Sequence, residues 1–517
     1  MEQLLSKSTI RKKTIQTGGL TLISRGFGLL REMLFTRYLG IADTFWVAYR
    51  IPGFFRKIFA EGALSAAFVP SMMHTMRHEN KHETNALMTT VSIVFEGILL
   101  VLCALILMFA KPVIHFMATG FSPEQIAETI PAMIALMPFA FFISGCALFA
   151  GSLQAINHFF IPALGPIIFN AVVIIGLVAG LAWNIPVTAI SYFIVAGGIA
   201  QFLSHLFIYV HLKLGFARPT KKTWPIVGNI LVRFLTSIPG FAMSEVSLLI
   251  DNNFASYIPG AISGLQYANR FMGIPLGVFA TAFSTILLPH FSRVGSYAPK
   301  RLGFYLLESG KLILWITLPV TLGMVFFARQ IFTTLFVSAK FPLEYALSTG
   351  TILMFSIAGL FFFSINKILL NIYYARHNMI IPMIISVLSM IVNIALNWIL
   401  IRLMYAPGLA LGTTLAAALQ TGLSLYCLRG YLGISLYGAA FGLFVRRFMV
   451  QLSCISGITF LIYTACYYII SALSPAMSYF LLQSAGLWLW VGPLSIGSFL
   501  LLFYTRSLFK IKLYFLD

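Results

Sequence analysis

A chain of 517 residues that is 59% hydrophobic and only 9% charged, with a mean hydropathy of +0.93, is not an ordinary soluble globule, in which about a quarter of the residues carry charge. Its net charge of +20 would suit nucleic acid if it lay on one soluble face. The basic residues instead sit in short clusters between apolar runs, so no nucleic-acid partner is implied and topology accounts for the charge. The five cysteines, Cys103, Cys146, Cys427, Cys454 and Cys466, fall in apolar stretches without CxxC spacing, which argues against a disulfide framework or a zinc site.

Counted at about 20 residues per span, the sequence predicts an all-α polytopic membrane protein with about fourteen transmembrane helices, at 14–39, 44–73, 86–110, 129–156, 161–183, 187–211, 225–257, 262–290, 304–328, 346–373, 380–403, 407–428, 444–471 and 479–505. The leading MEQLLSKSTIRKK is basic, but no small-residue cleavage site follows a short apolar core, so the first span is expected to be retained. An even count puts both termini on one side. Loops on that side carry Arg11, Lys12, Lys13, Lys221, Lys222, Arg446 and Arg447 among others, against Lys111, Arg329, Lys340 and Arg402 on the other. Because Lys and Arg accumulate in cytoplasmic loops, both termini are expected in the cytoplasm.

The first two spans are apolar enough for a bilayer yet hold Arg25, Arg31, Arg50, Arg56, Lys57 and Glu61. A cation at the centre of a span costs roughly 2.5–3.5 kcal/mol if it faces lipid, so these side chains must point elsewhere. Positions seven apart nearly superpose on a helix, which puts Asp43, Arg50 and Lys57 on one stripe, with Glu61 one turn further; Arg25 and Glu32 share a face of the first span. Two readings follow. Either the helices aim a mainly cationic surface into a water-accessible interior, or the charges form an internal salt-bridge network that fixes helix packing.

Further along, His74, His78 and His82 have helical spacing, but interleaved Glu79, Lys81 and Glu83 favour a solvated helix end over a metal site. The basic, Pro-containing stretch around 213–224 separates six spans from the next six. The predicted organisation is a six-helix lobe over 1–212, a cytoplasmic linker at 213–224, a second six-helix lobe over 225–431, and two additional helices over 432–517. An internal repeat supports the lobes: Arg50-x-x-Gly53 with Phe59-Ala60 recurs as Arg270-x-x-Gly273 with Phe279-Ala280. Halves of six spans have equal orientation, so a pseudo-twofold along the membrane normal is expected. Pro52, Pro239 and Pro275 fall inside spans as candidate hinges or static kinks.

Intramembrane acids (Glu32, Glu61, Glu96, Glu245, Asp251, Glu308) are scattered and no catalytic motif is present, so the chain does not read as an enzyme. Asn393 and Asn397 share a helical face, and Asp251 with Thr413 complete a polar set that suits either a monovalent cation, sodium or a proton, or interhelical hydrogen bonds. Arginines match phosphate bidentately, so the cationic surface points to an anionic, phosphorylated cargo.

The runs SRGFGLLRE and GIADTFWVAYRIPGFFRKIFAEGALSAAFVP, continued by LLIDNNFASYIPGAISGLQYANRFMGIPLGVFATAFSTILLP, resemble the MurJ (MviN) lipid II flippases of bacteria, in the multidrug/oligosaccharidyl-lipid/polysaccharide exporter superfamily. The resemblance implies movement of lipid II, an undecaprenyl-diphosphate-linked peptidoglycan precursor, from the cytoplasmic to the outer leaflet of the inner membrane by alternating access. It implies membrane lipids and cell-wall synthesis proteins as further partners and no required cofactor. The family's cavity cations map onto Arg25, Arg31, Lys57 and Arg270, to which the stripe adds Arg50, Asp43 and Glu61; its sodium pattern maps onto Asp251, Asn393 and Asn397. Asn269 and Gly273 replace acids common in relatives, Lys57 replaces an arginine, and Asn397 replaces a frequent aspartate. An exporter of another lipid-linked oligosaccharide or of drugs, and a membrane scaffold for cell-wall enzymes, are the rival classes.

The charge asymmetry yields a direct test. A single cysteine at Lys221 should react with an impermeant thiol reagent only from the cytoplasm, and one at Glu124 only from outside; the reverse pattern would overturn the orientation.

Overall fold

The computed structural model describes residues 7–516 apart from 61–62, 157, 282, 285–286, 288–290, 292–293, 295–300, 377, 379, 432 and 435; the side chains of 7–22, 60, 63, 65–66, 187, 237–244 and 281 are likewise outside the description. Among the described residues the chain is helical throughout, without a named strand. In order the helices are α1 (Lys7–Tyr38), α2 (Asp43–Ala60), α3 (Ala63–His78), α4 (Lys81–Met108), α5 (Ala110–Met117), α6 (Pro123–Ala155), α7 (Phe160–Ala182), α8 (Ile190–His211), α9 (Thr223–Ala255) and α10 (Ala261–Pro275). There follow α11 (Leu302–Leu335), α12 (Leu343–Ala358), α13 (Leu360–Ala375), α14 (Ile380–Met404), α15 (Ala406–Gly430), α16 (Gly438–Ser471), α17 (Pro475–Gln483) and α18 (Leu487–Thr505).

Among the described residues each predicted span contains helix, although 262–290 runs into residues outside the description and 479–505 breaks at 484–486 between α17 and α18; 10 described stretches are long and apolar enough to cross a membrane: α4, α6, α7, α8, α11, α12 with α13, α14, α15, α16 and α18. The predicted spans outside that set are α1, α2 with α3, α9 and α10. These are the helices that carry Arg25, Arg31, Asp43, Arg50, Lys57, Asp251 and Arg270. In α2 four charged residues lower the hydropathy, α9 includes residues whose side chains lie outside the description, and α10 is 15 residues long and gives way at Pro275 to a π-helical turn over Leu276–Thr281. A proline cannot complete the α-helical ladder, and a widened turn is a common way to absorb the break. Pro52 lies inside α2, and α9 runs through Pro239.

Local signals set several ends. Asn80 caps α4 by accepting from the Glu83 N–H at 2.8 Å, which separates His78, the last residue of α3, from His82 on the next helix. The three histidines therefore do not share one helix as their spacing suggested; His74 and His78 lie with ring centroids 4.5 Å apart on an exposed face. Ser122 and Gln125 form a reciprocal capping box with Pro123 at the first turn of α6.

By packing, the chain divides into Met1–Ser263 and Gly264–Asp517. In the first unit α6 is central, packing on α2, α3, α4 and α8, while α1 lies on α7 and α9 on α2, α3, α4 and α5. The connection before α9 is pinned to the start of α4. Gly215 N–H donates to Asn85 Oδ1 at 3.1 Å, Ala217 N–H to Thr89 Oγ1 at 3.2 Å, and Thr220 Oγ1 to Glu83 Oε2 at 2.6 Å. In the second unit one core gathers Ile365, Ile368, Leu369 and Ile372 of α13 with Leu302 and Ile313 of α11. A second core gathers Trp315 of α11 with Phe444, Phe448 and Leu452 of α16 and Leu502 of α18, seating the C-terminal helices.

Candidate functional site

The stripe read on α2 exists, and it faces α9. Asp43, Arg50 and Lys57 descend α2 in steps of seven, and each meets a polar group one heptad further back along the antiparallel α9 and its outgoing turn. Lys57 Nζ forms a salt bridge with Glu245 Oε1, whose side chain is 5% exposed. Arg50 donates to Asn252 Oδ1 at 3.1 Å. Asp43 accepts from Gly260 N–H at 2.7 Å and from Ser263, N–H at 2.8 Å and Oγ at 2.6 Å. Ser263 Oγ in turn accepts from Ala42 N–H at 3.0 Å.

The Asp43 contacts have a simple cause. The opening N–H groups of α10 have no carbonyl one turn back, and a carboxylate there satisfies two donors while lying at the positive end of the helix dipole. Gly260, at φ +80°, supplies the left-handed turn that brings its N–H round to the carboxylate. Gly40, at φ +63°, makes the corresponding turn out of α1. The loop after α5 closes on the same end of α9: Gly120 N–H donates to Ser256 Oγ at 2.9 Å, and a Cβ at Gly120 would lie 2.7 Å from the Ser256 carbonyl.

On α1, Arg31 is buried. Its guanidinium donates to Glu32 Oε1 at 2.6 Å and to Asn170 Oδ1 on α7 at 2.9 Å, and it sits 5.4 Å from the Phe35 ring and 5.8 Å from that of Phe169. Glu32, which shares a helical face with Arg25, thus pairs with Arg31, its neighbour in sequence. Asn170 Nδ2 also donates to the Ser24 carbonyl at 3.4 Å, beside half-buried Arg25. Glu61 lies outside the described residues. Arg270, half-buried on α10, belongs to the second unit.

Asn170, Glu245, Asn252 and Ser263 were not singled out in the sequence as partners of these charges. Glu245 and Asn252 are themselves seven apart, so the matching period on α9 was present as a signal.

Of the cation candidates, Asn393, Asn397 and Thr413 come together within the second unit. Asn397 Nδ2 donates to Asn393 Oδ1 at 3.3 Å, Asn393 Nδ2 to Thr413 Oγ1 at 3.5 Å, and Thr413 Oγ1 to the Leu409 carbonyl at 3.0 Å. Asn393 Oδ1 and Thr413 Oγ1 thus each accept an amide N–H, and the Asn393–Thr413 bond joins α14 to α15. Gly412 makes the room, since a Cβ there would lie 2.5 Å from Asn397 Oδ1. Asp251, 7% exposed on α9, lies in the first unit. Similar bonding joins α13 to α15, where Thr421 Oγ1 donates to Asn366 Oδ1 at 2.9 Å.

Comparison with known proteins places these residues in a family. The family model described as lipid II flippase MurJ matches residues 35–485. The chain is 30% identical over 419 residues to the lipid II flippase MurJ of Burkholderia cenocepacia, covering 79% of this chain and 81% of that protein. It is 30% identical over 416 residues to the probable lipid II flippase MurJ of Rhizobium meliloti, covering 77% of each. Among solved structures, a lipid II flippase MurJ in an inward closed conformation superposes with a TM-score of 0.75 at 26% identity, over 96% of this chain and 99% of that one. An inward-facing multidrug transporter of the MATE family superposes with a TM-score of 0.62 at 14% identity, over 80% of this chain and 97% of that one, a likeness of fold alone.

The Arg31 arrangement predicts a defined stability pattern. Arg31→Ala removes the guanidinium from a buried carboxylate and should cost about 3–5 kcal/mol, read as a lowered thermal unfolding midpoint in detergent. Arg31→Ala with Glu32→Gln should recover most of the loss. A single variant as stable as the parent would show that the pair does not hold α1 to α7.

Proposed function

The chain belongs to the lipid II flippase MurJ family, and we propose that it carries lipid II from the cytoplasmic to the outer leaflet of the bacterial inner membrane by alternating access. The family match over residues 35–485 is the observation that carries this reading. The task is transport, and no bond is made or broken in it. The drug-exporter and scaffold readings have no comparable support, since the MATE likeness is one of fold.

In this proposal the fourteen predicted helices all span the bilayer, in lobes of 1–212 and 225–431 related by a pseudo-twofold, with 213–224 between them and 432–517 appended. Both termini lie in the cytoplasm. The diphosphate and sugar-peptide headgroup are bound by Arg25, Arg31, Arg50 and Lys57 and by Arg270, with Asp43 and Glu61 bordering them. The lipid tail stays in the membrane along the last two helices.

The pairing of Arg31 with Glu32 and of Lys57 with Glu245 gives this proposal a physical form. Acids balance these cations when no cargo is present, and a phosphate then competes with a carboxylate for the same donors, which limits how tightly any one state binds. Membrane potential or a monovalent cation resets the cycle, the cation being held by Asp251, Asn393, Asn397 and Thr413. Membrane lipids surround the protein, and cell-wall synthesis proteins are its proposed neighbours.

Rapid depletion of the protein should strand lipid II in the inner leaflet, inaccessible to an externally added lipid II-cleaving enzyme, and re-expression of the parent should restore access. Arg25→Ala and Arg270→Ala should insert normally yet fail to restore it, and the lysine variants, which keep charge but lose the fork, should restore it in part. Sodium stimulation of the parent, if the cation is sodium, should vanish in Asp251→Asn. Unchanged access after depletion would refute the flippase reading, and a fully active Arg270→Ala would remove that residue from it.

A further inference from the structure

One ionisable group stands apart from the cationic helices. Glu96 lies near the middle of α4, the most apolar of the membrane-crossing helices, about 22 Å along the helix from Lys81 at 1.5 Å per residue. Both carboxyl oxygens are buried and, among the described residues, neither has a hydrogen-bond partner. The Ser144 hydroxyl of α6 lies beside it, itself fully buried and without a partner. Gly145 makes the space: a Cβ there would sit 3.5 Å from Glu96 Oε1 and 2.7 Å from the Phe202 ring of α8.

Among the described residues, the groups that surround this carboxyl do not compensate a negative charge. On α4 itself the nearest titratable neighbour is Cys103, one heptad on; α6 offers Ser144 and Cys146, the latter turned toward Gln201 of α8. Phe234 of α9 packs on Phe95, Arg233 of α9 is exposed, and Glu245 is occupied by Lys57. The cations of α3 and α5, His74, Arg77, His78, Lys111 and His115, are all exposed.

We propose that Glu96 is a proton-binding site of the transporter, a neutral acid in this conformation that releases its proton in another stage of the cycle. An unpaired carboxylate in the bilayer interior is strongly disfavoured, and taking up a proton from water removes the charge and creates an O–H that can be donated to Ser144 Oγ. Release returns the proton to water and restores a carboxylate, which α4 and α6 can tolerate only by parting to admit solvent. α6 is the helix on which α2 packs, so that movement reaches the helix bearing Arg50 and Lys57. The inference rests on the reading that an ion gradient resets the cycle, and adds to it a proton carried on Glu96, apart from the cation assigned to Asp251, Asn393, Asn397 and Thr413.

Two measurements on the full-length protein in phosphatidylglycerol-containing liposomes test it. Dicyclohexylcarbodiimide, which reacts with protonated carboxyls in apolar surroundings, should add its mass to the Glu96 peptide of the parent and not to that of Glu96→Gln. Flipping of fluorescent lipid II should change several-fold when a pH gradient is imposed, and Glu96→Gln should lose that response. No adduct in the parent, or an undiminished gradient response in Glu96→Gln, overturns the proposal. The labelling arm needs no variant to fold. A parent that flips without any gradient response refutes this inference alone, whereas a parent that does not flip refutes the function on which it rests.

Discussion

Within the first unit, the arrangement depends on how α2 keeps its charges inside a membrane helix. Asp43, Arg50 and Lys57 would each be costly against lipid, and each is instead met by a group on α9 or on the turn that leaves it. Because both helices have nearly the same period and run antiparallel, a step of seven along one is matched by a step of seven back along the other. The pairing thereby fixes register as well as charge. A slip by one residue would rotate every polar group about 100° off its partner.

Other features serve the same register. The connection into α9 is pinned to the head of α4 by Gly215, Ala217 and Thr220, and the far end of α9 is tied by Gly120 and Asp43. Between those anchors, Phe59 of α2, Phe95 of α4 and Phe234 of α9 meet with ring centroids 5.1 to 6.4 Å apart. Apolar packing in a bilayer gains little from the hydrophobic effect, since lipid tails are equally apolar, so polar pairs and close packing carry more of the specificity. The salt bridges are therefore part of the scaffold even where the same cations are proposed to meet a phosphate.

Much of this was legible in the sequence. Apolar runs of about 20 residues located the helices, and the seven-residue spacing of Asp43, Arg50 and Lys57 correctly put them on one face. What that face meets was not legible, because a helical wheel describes one helix and the partner of Arg50 lay 202 residues away. Among the scattered intramembrane acids, Glu245 shares the α2 period with a neutral residue, Asn252, which a search for charges alone passes over. Arg31 illustrates a second limit: adjacent residues point about 100° apart on a helix, yet the long arginine side chain bends back to Glu32. Membrane crossing is hardest to read in α1 and α2, since the charges that suggest function are the same ones that lower hydropathy.

The most direct test of the α2–α9 ladder is a double-mutant cycle on thermal stability with Lys57→Ala, Glu245→Ala and the double variant. The ladder predicts that each single change leaves a charge behind, so that the double variant is more stable than the sum of the two losses, with a coupling of about 1–3 kcal/mol. Additivity within about 0.5 kcal/mol would contradict it and would mean that Lys57 and Glu245 do not set the register of α2.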